Sequence, residues 1–196
     1  LQASSATMAI TMLLAASGLI DFKLAVAMVL GENIGTTITA NIAAAVANTS
    51  AKRAARAHTI FNLIGVIWVL CLLKPIIGLI CHIMVALGFY DPVEASSQLA
   101  AIANSGLAAD PEQIEMYKNS LLYGIAMLHT LFNVTNTAVL IWFVPLIEKA
   151  VVWLVKEPKG ETEVFRLKYI SGGPLSTAEL SLREAQQELI HFAEIC

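Results

Sequence analysis

Two polar clusters carry the chemistry of this chain. The first is Gly31-Glu32-Asn33-Ile34-Gly35-Thr36-Thr37, set between apolar flanks that run from Phe22 to Leu30 and from Ile38 to Ala47. In lipid an unsatisfied backbone group costs several kcal/mol. A helix therefore breaks at membrane depth only where protein or a cavity receives the freed groups. Two glycines four apart permit such a break. Asn33, Thr36 and Thr37 would then offer donors and acceptors beside a new helix N-terminus, whose partial positive charge and free N–H groups suit an anion. The alternative is a kinked helix whose Asn and Thr side chains bond neighbouring helices. The second cluster is Gln2-Ala3-Ser4-Ser5, followed directly by the apolar segment Met8–Ala16.

The elements around these clusters read as membrane helices. The chain has 196 residues, 57% hydrophobic and 14% charged. Between Ala6 and Ala47 the only charges are Asp21, Lys23 and Glu32, and between Thr59 and Tyr90 only Lys74. Such runs predict transmembrane helices and an all-α polytopic membrane protein with re-entrant and broken helices. No basic stripe points to nucleic acid. No nucleophile, base and orienting residue combine into an enzyme site. Cys71, Cys81 and Cys196 match no metal or redox spacing and read as inert thiols. The chain reads as part of a longer polypeptide.

Residues 5–17 are too few to cross a bilayer, which takes about 20, and read as a re-entrant segment. Ser17-Gly18 breaks it, and Asp21 and Lys23 mark a wet turn. At roughly 1.5 Å per residue, Ser5 to Ser17 covers about 18 Å, nearly the distance back from Phe22 to Asn33. The two polar clusters should therefore lie at one depth. Residues 22–48 then form a broken span, Ser50–Arg56 a basic loop and 58–89 one long span. That span bends at Lys74-Pro75 or divides there into two. An acidic external loop covers 91–118 and a further span 121–147. Basic residues fall at 52–56 and after Lys149, which puts residues 48–57 and the C-terminal tail in the cytoplasm by the positive-inside rule. The transmembrane domain is thus 1–156, with 157–196 as a cytoplasmic tail.

His58-Thr-Ile-Phe-Asn62 is echoed by His129-Thr-Leu-Phe-Asn133. The histidines read as helix-packing groups, and Asn133 and Asn136 as deeper candidates for cavity contacts. In the tail, Ser176-Thr-Ala-Glu179 is a capping box with Leu175 and Leu180 as its hydrophobic staple. Leu182, Ala185, Leu189 and Cys196 then share one apolar face. That face predicts the start of a cytoplasmic helical domain.

Together, Gln2-Ala3-Ser4-Ser5 and Gly31–Thr37 resemble the marks of the sodium–phosphate cotransporter family (the type II Na/Pi group). Ala51–Asn62 and the span holding Phe132-Asn133 are similar to it as well, and the likeness covers roughly residues 1–156. The family's cluster has a serine where Ala3 stands and a small residue where Glu32 stands. The resemblance implies two inverted repeats with the site between them. This chain would be the second repeat, leading into a PhoU-like helical tail and completed by a first repeat outside it. It further implies sodium-driven import of inorganic phosphate at a bacterial plasma membrane. Ser4, Ser5, Asn33, Thr36 and Thr37 would bind phosphate, and Gln2 and Glu32 would bind the co-transported sodium ion. An ionisable residue at membrane depth is by default a functional candidate. A carboxylate would repel phosphate, so Glu32 belongs on the cation side. The rival readings are a transporter of the same build for another small anion, and a membrane-anchored regulator acting through its helical tail.

Overall fold

The computed structural model describes residues 3–105, 110–157, 182–183 and 185–190. It divides into two units, residues 1–156 and 157–196. In the second unit residues 182–183 and 185–190 are helical, with Leu182, Leu189 and Ile190 exposed. The capping box at 176–179 lies outside the described residues.

Helix α1 spans Ala3–Ala16. It stops where Gly18 takes φ +75°, a conformation that penalises any Cβ. A Cβ there would also sit 2.9 Å from the Leu99 carbonyl oxygen. Asp21 then caps α2, its carboxylate accepting from the Leu24 N–H at 2.7 Å.

Helix α2 runs from Phe22 to Ala44 without interruption. The expected break in the span 22–48 is absent, and no new helix N-terminus forms at Gly35. Glycine permits unwinding but does not compel it. On an apolar flank the cheapest partner for a backbone carbonyl is the helix itself.

Helix α3 covers Thr49–Cys71, capped by Asn48, whose side chain accepts from the Ala51 N–H at 2.9 Å. The expected basic loop at 50–56 is therefore the first two turns of a helix. The expected single span 58–89 divides into α3 and α4, Leu73–Ala86. The bend falls at Leu72 (φ −109°, ψ 19°), two residues ahead of Lys74-Pro75. Pro75 lies in the first turn of α4, where its missing N–H costs least.

The expected loop 91–118 is largely helical. Asp91 caps α5, Pro92–Ser105, by accepting from Val93 N–H at 2.7 Å. Asp110 caps α6, Pro111–Leu140, by accepting from Glu112 N–H at 3.1 Å. The acidic residues that read as a solvated loop are in part helix caps. The span expected at 121–147 starts at Pro111. It continues through a 3-10 turn, Ile141–Phe143, into α7, Val144–Leu154. Pro145 opens α7 and ends nothing.

Contacts define two ends of the unit. At one end Gly18 meets Leu99, Gly124 meets Phe22 and Pro92, and the Tyr90 N–H donates to Ser120 Oγ at 3.0 Å. At the other, Arg53 Nε donates to the Val155 carbonyl at 3.1 Å, tying the start of α3 to the end of α7. The basic residues at 52–56 and around 149–156 thus share an end. The core between the ends holds Phe22, Val26, Val69, Ile80, Met84, Leu121, Ile125 and Leu128.

Two helical stretches, Thr49–Cys71 and Pro111–Leu154, are long and apolar enough to cross a membrane. Only 28% and 11% of their apolar windows are buried. Apolar helices left this exposed call for surroundings other than water. The protein is an all-α membrane protein.

One inter-helix contact sets how closely α3 and α6 approach. A Cβ on Gly65 would lie 2.7 Å from Asn136 Nδ2 and 2.9 Å from Phe132 Cζ, and both residues are buried. Gly65→Ala should cost the full-length protein in detergent about 1–3 kcal/mol of stability, the usual range for overpacking. Gly78→Ala, with nothing within 4 Å, should not destabilise it. Thermal unfolding midpoints of the two variants make the comparison.

Candidate functional site

The polar side chains of the Gly31–Thr37 stretch mostly turn back onto α2. Asn33 Nδ2 donates to the Val29 carbonyl at 3.0 Å, Thr36 Oγ1 to Asn33 at 2.9 Å and Thr37 Oγ1 to Ile34 at 2.7 Å. With these protons committed to carbonyls, the Thr36 and Thr37 oxygens keep lone pairs to offer, Thr36 half-buried and Thr37 buried. In this arrangement the stretch offers acceptors, which suit a cation better than an anion.

Glu32 is the exception to this self-satisfaction. Both carboxylate oxygens are shielded from solvent, and neither has a side-chain donor. The group lies beside the backbone of Met8 in α1. Met8 is one turn beyond Ser5, so α1 brings the Ser4-Ser5 end close to the Gly31–Thr37 stretch. A carboxylate buried without a partner is costly and calls for a proton or a cation. Thr11 Oγ1, further along α1, is likewise buried and unpartnered.

The remaining site residues divide as follows. Gln2 and the side chain of Ser4 lie outside what the structure describes; the backbone of Ser4 is in the first turn of α1. Ser5 is exposed in the same turn, the first described turn of α1. Gly31 is exposed, and a Cβ on Gly31 or Gly35 would meet nothing within 4 Å. Ile38 and Ile42, on the same face, are also exposed. α2 therefore carries its glycines on an open face, and Thr37 on the buried one.

Inter-helix amides hold this arrangement. Asn62 Nδ2 on α3 donates to the Asn33 carbonyl at 2.9 Å and also contacts His58 Nε2 at 3.0 Å. Asn41 Nδ2 reaches Thr59 Oγ1 at 2.6 Å and the Thr37 carbonyl at 2.7 Å. Asn136, expected to face a cavity, is fully buried. It accepts from Trp68 Nε1 at 3.2 Å and donates to the Phe61 carbonyl at 3.2 Å. The core of helices α3 and α6 leaves no room for a cavity there, and a buried amide must find partners on the adjacent helix. Asn133 does line an open groove of about 390 Å³ with Met8, His129 and Thr130, its own amide donating to the His129 carbonyl. Sequence reasoning missed Asn41 and gave His58 and Asn62 no link to the motif. The available signal was an isolated amide on an apolar helix, which needs an inter-helix partner.

Residues 1–90 match the family described as Na+/Pi-cotransporter. That stretch, a little under half of the chain, is what is similar to this family. The match takes in α1, the Gly31–Thr37 stretch and Asn62, so the cotransporter motif and its α3 partner fall within it. YqeW of Bacillus subtilis (strain 168), an uncharacterized protein, is 40% identical over 80 residues, 41% of this chain and 26% of that protein. YjbB of Salmonella typhimurium (strain LT2), named as a candidate inorganic phosphate export protein, is 22% identical over 192 residues. That alignment covers 97% of this chain and 29% of YjbB. The chain thus spans less than a third of the length of either relative. No solved structure matches.

Proposed function

We propose that this chain is one repeat of a transporter that moves inorganic phosphate together with sodium across a bacterial plasma membrane. The family match and the phosphate-related name of one relative support the substrate. The observation that carries the sodium reading is Glu32, a carboxylate shielded from solvent beside α1, on the same stretch as Thr36 and Thr37, whose hydroxyl oxygens keep lone pairs.

No lysine or arginine lies between Lys23 and Lys52, so nothing cationic in this stretch offsets a phosphate. A sodium ion held by Glu32, with Gln2 and the threonine oxygens, would supply that charge. Each ion then binds better in the presence of the other, a coupling that is reciprocal by thermodynamic necessity. Phosphate itself needs donors. The first turn of α1, with Ser4 and Ser5, offers backbone N–H groups and hydroxyls. Asn33, Thr36 and Thr37 can join only if their protons leave the α2 carbonyls. The Asn33 carbonyl is the place where this costs least. It already receives Thr36 Oγ1 and Asn62 Nδ2, so local unwinding would leave it bonded.

The open glycine face of α2 fits closure by the first repeat, which lies outside this chain, and glycines let a second backbone approach closely. The shared basic end formed by Lys52–Arg56 and Lys149–Lys156 is cytoplasmic on the positive-inside rule, and the tail from residue 157 follows on that side. Import is the direction under an inward sodium gradient. A symporter runs whichever way the summed gradients point, so a relative named for export is compatible with the same site.

Two measurements on the full-length protein test this reading. Sodium at about 100 times its dissociation constant should raise stability by roughly 2.7 kcal/mol. Potassium should not, and Glu32→Gln should lose the sodium effect. In liposomes, phosphate uptake should require an inward sodium gradient, and Ser5→Ala with Thr36→Ala should raise the phosphate needed for half-maximal uptake at least tenfold. Uptake indifferent to sodium would remove the coupling; competition by sulfate or a carboxylate would change the substrate.

A further inference from the structure

The repeated motif His-Thr-x-Phe-Asn has a use that the transport reading leaves unassigned. In its first copy, Asn62 Nδ2 sits 2.9 Å from the Asn33 carbonyl and 3.0 Å from His58 Nε2. The side chain of Asn62 is buried. An amide nitrogen only donates. It has two protons, one for the carbonyl and one for the imidazole, so His58 Nε2 must accept. That requires a neutral ring with its proton on Nδ1. Turning the amide over gives no escape: its oxygen would then face the Asn33 carbonyl oxygen.

We propose that His58 and Asn62 form a positioning pair for the Gly31–Thr37 stretch, effective only while His58 is neutral. A proton on Nε2 places a donor against a donor. Asn62 must then swing or flip, and either movement releases the Asn33 carbonyl. The element joining α3 to the motif is thereby lost at the residue next to Glu32. Imidazole is the side chain that changes charge between about pH 5 and 8, and His58 is exposed here, so protons can reach it.

The groups around His58 are accounted for element by element. On α3 itself are Lys52, Arg53 and Arg56. On α7, Glu148 lines the same cavity of about 510 Å³ as His58 and Arg53, with Lys149 beside it in sequence. On α2, which lines the second cavity at His58, the charged residues are Lys23 and Glu32. α6 contributes Glu112, Glu115, Lys118 and His129, and α4 Lys74 and His82. None of these makes the contact with Nε2 that Asn62 makes.

The second copy behaves differently. Asn133 donates to the His129 carbonyl of its own helix, so among the described residues the pairing onto a neighbouring helix belongs to the first copy.

The pair is tested in the full-length protein in two ways. The first rests on the transport reading above. Phosphate kcat/KM is measured in liposomes from pH 8 to pH 5.5, with equal pH on both sides, and wild type is divided by His58→Gln to cancel the titration of phosphate. Glutamine stays neutral and offers an acceptor oxygen to Asn62. The ratio should be near one at pH 8 and fall about five- to tenfold by pH 5.5, the scale of one lost hydrogen bond. His58→Lys should be impaired by a similar factor at every pH, and Asn62→Ala should be impaired without a pH step. A ratio that stays flat would overturn the pair. The second readout does not need transport. In nitrogen-15 spectra of the protein in detergent, the His58 signal, assigned by its loss in His58→Gln, should show the proton on Nδ1 at pH 8. A proton on Nε2 would sink the proposal even in a protein that moves no phosphate. Absence of wild-type uptake with an Nδ1 proton would overturn the transport reading and keep the pair.

Discussion

The structure depends on finding partners for polar groups where water is not available. Four short polar contacts do most of this work in the first unit: Asn41 with Thr59, Asn62 with the Asn33 carbonyl, and Asn136 with both Trp68 and Phe61. They join α2 to α3 and α3 to α6 between Thr59 and Trp68 of α3. A hydrophobic driving force between helices is weak where the surroundings are themselves apolar, so van der Waals fit and such bonds carry more of the specificity. Gly65 belongs to the same logic, since its lack of a side chain makes room for Asn136.

Against this background the unbonded groups are informative. Beside Thr36 and Thr37, which return their protons to α2 carbonyls, Glu32 keeps two buried oxygens with no side-chain donor. A cation or a proton is the chemistry that resolves such a group. Its position beside Met8 places it near the first described turn of α1. The proposed two-ion site would draw on both, the acceptors of the Gly31–Thr37 stretch and the hydroxyls of the first turn of α1. The open face of α2, with both glycines on it, leaves that region accessible to another backbone.

The helical repertoire and the membrane character were legible in the sequence, because sparse charge and long apolar runs admit few other structures. The ends of elements were less legible. Asp91 and Asp110 looked like solvated loop residues and act as helix caps. The basic residues after Asn48 looked like a loop and are helical. Local polarity marks a surface but does not say whether the backbone beneath it is coiled.

Composition and spacing by themselves determined an all-α chain with polar clusters at Gln2–Ser5 and Gly31–Thr37 and a carboxylate in an apolar setting. The tertiary structure decided whether the second cluster breaks its helix. It does not, because Asn33, Thr36 and Thr37 find carbonyls on α2 and Asn62 reaches across from α3. It also decided which amides hold the bundle and which carboxylate goes without a partner. Those outcomes depend on what the neighbouring helices present at each contact, and a hydrogen bond between residues 29 or 75 positions apart leaves no periodic trace in the chain.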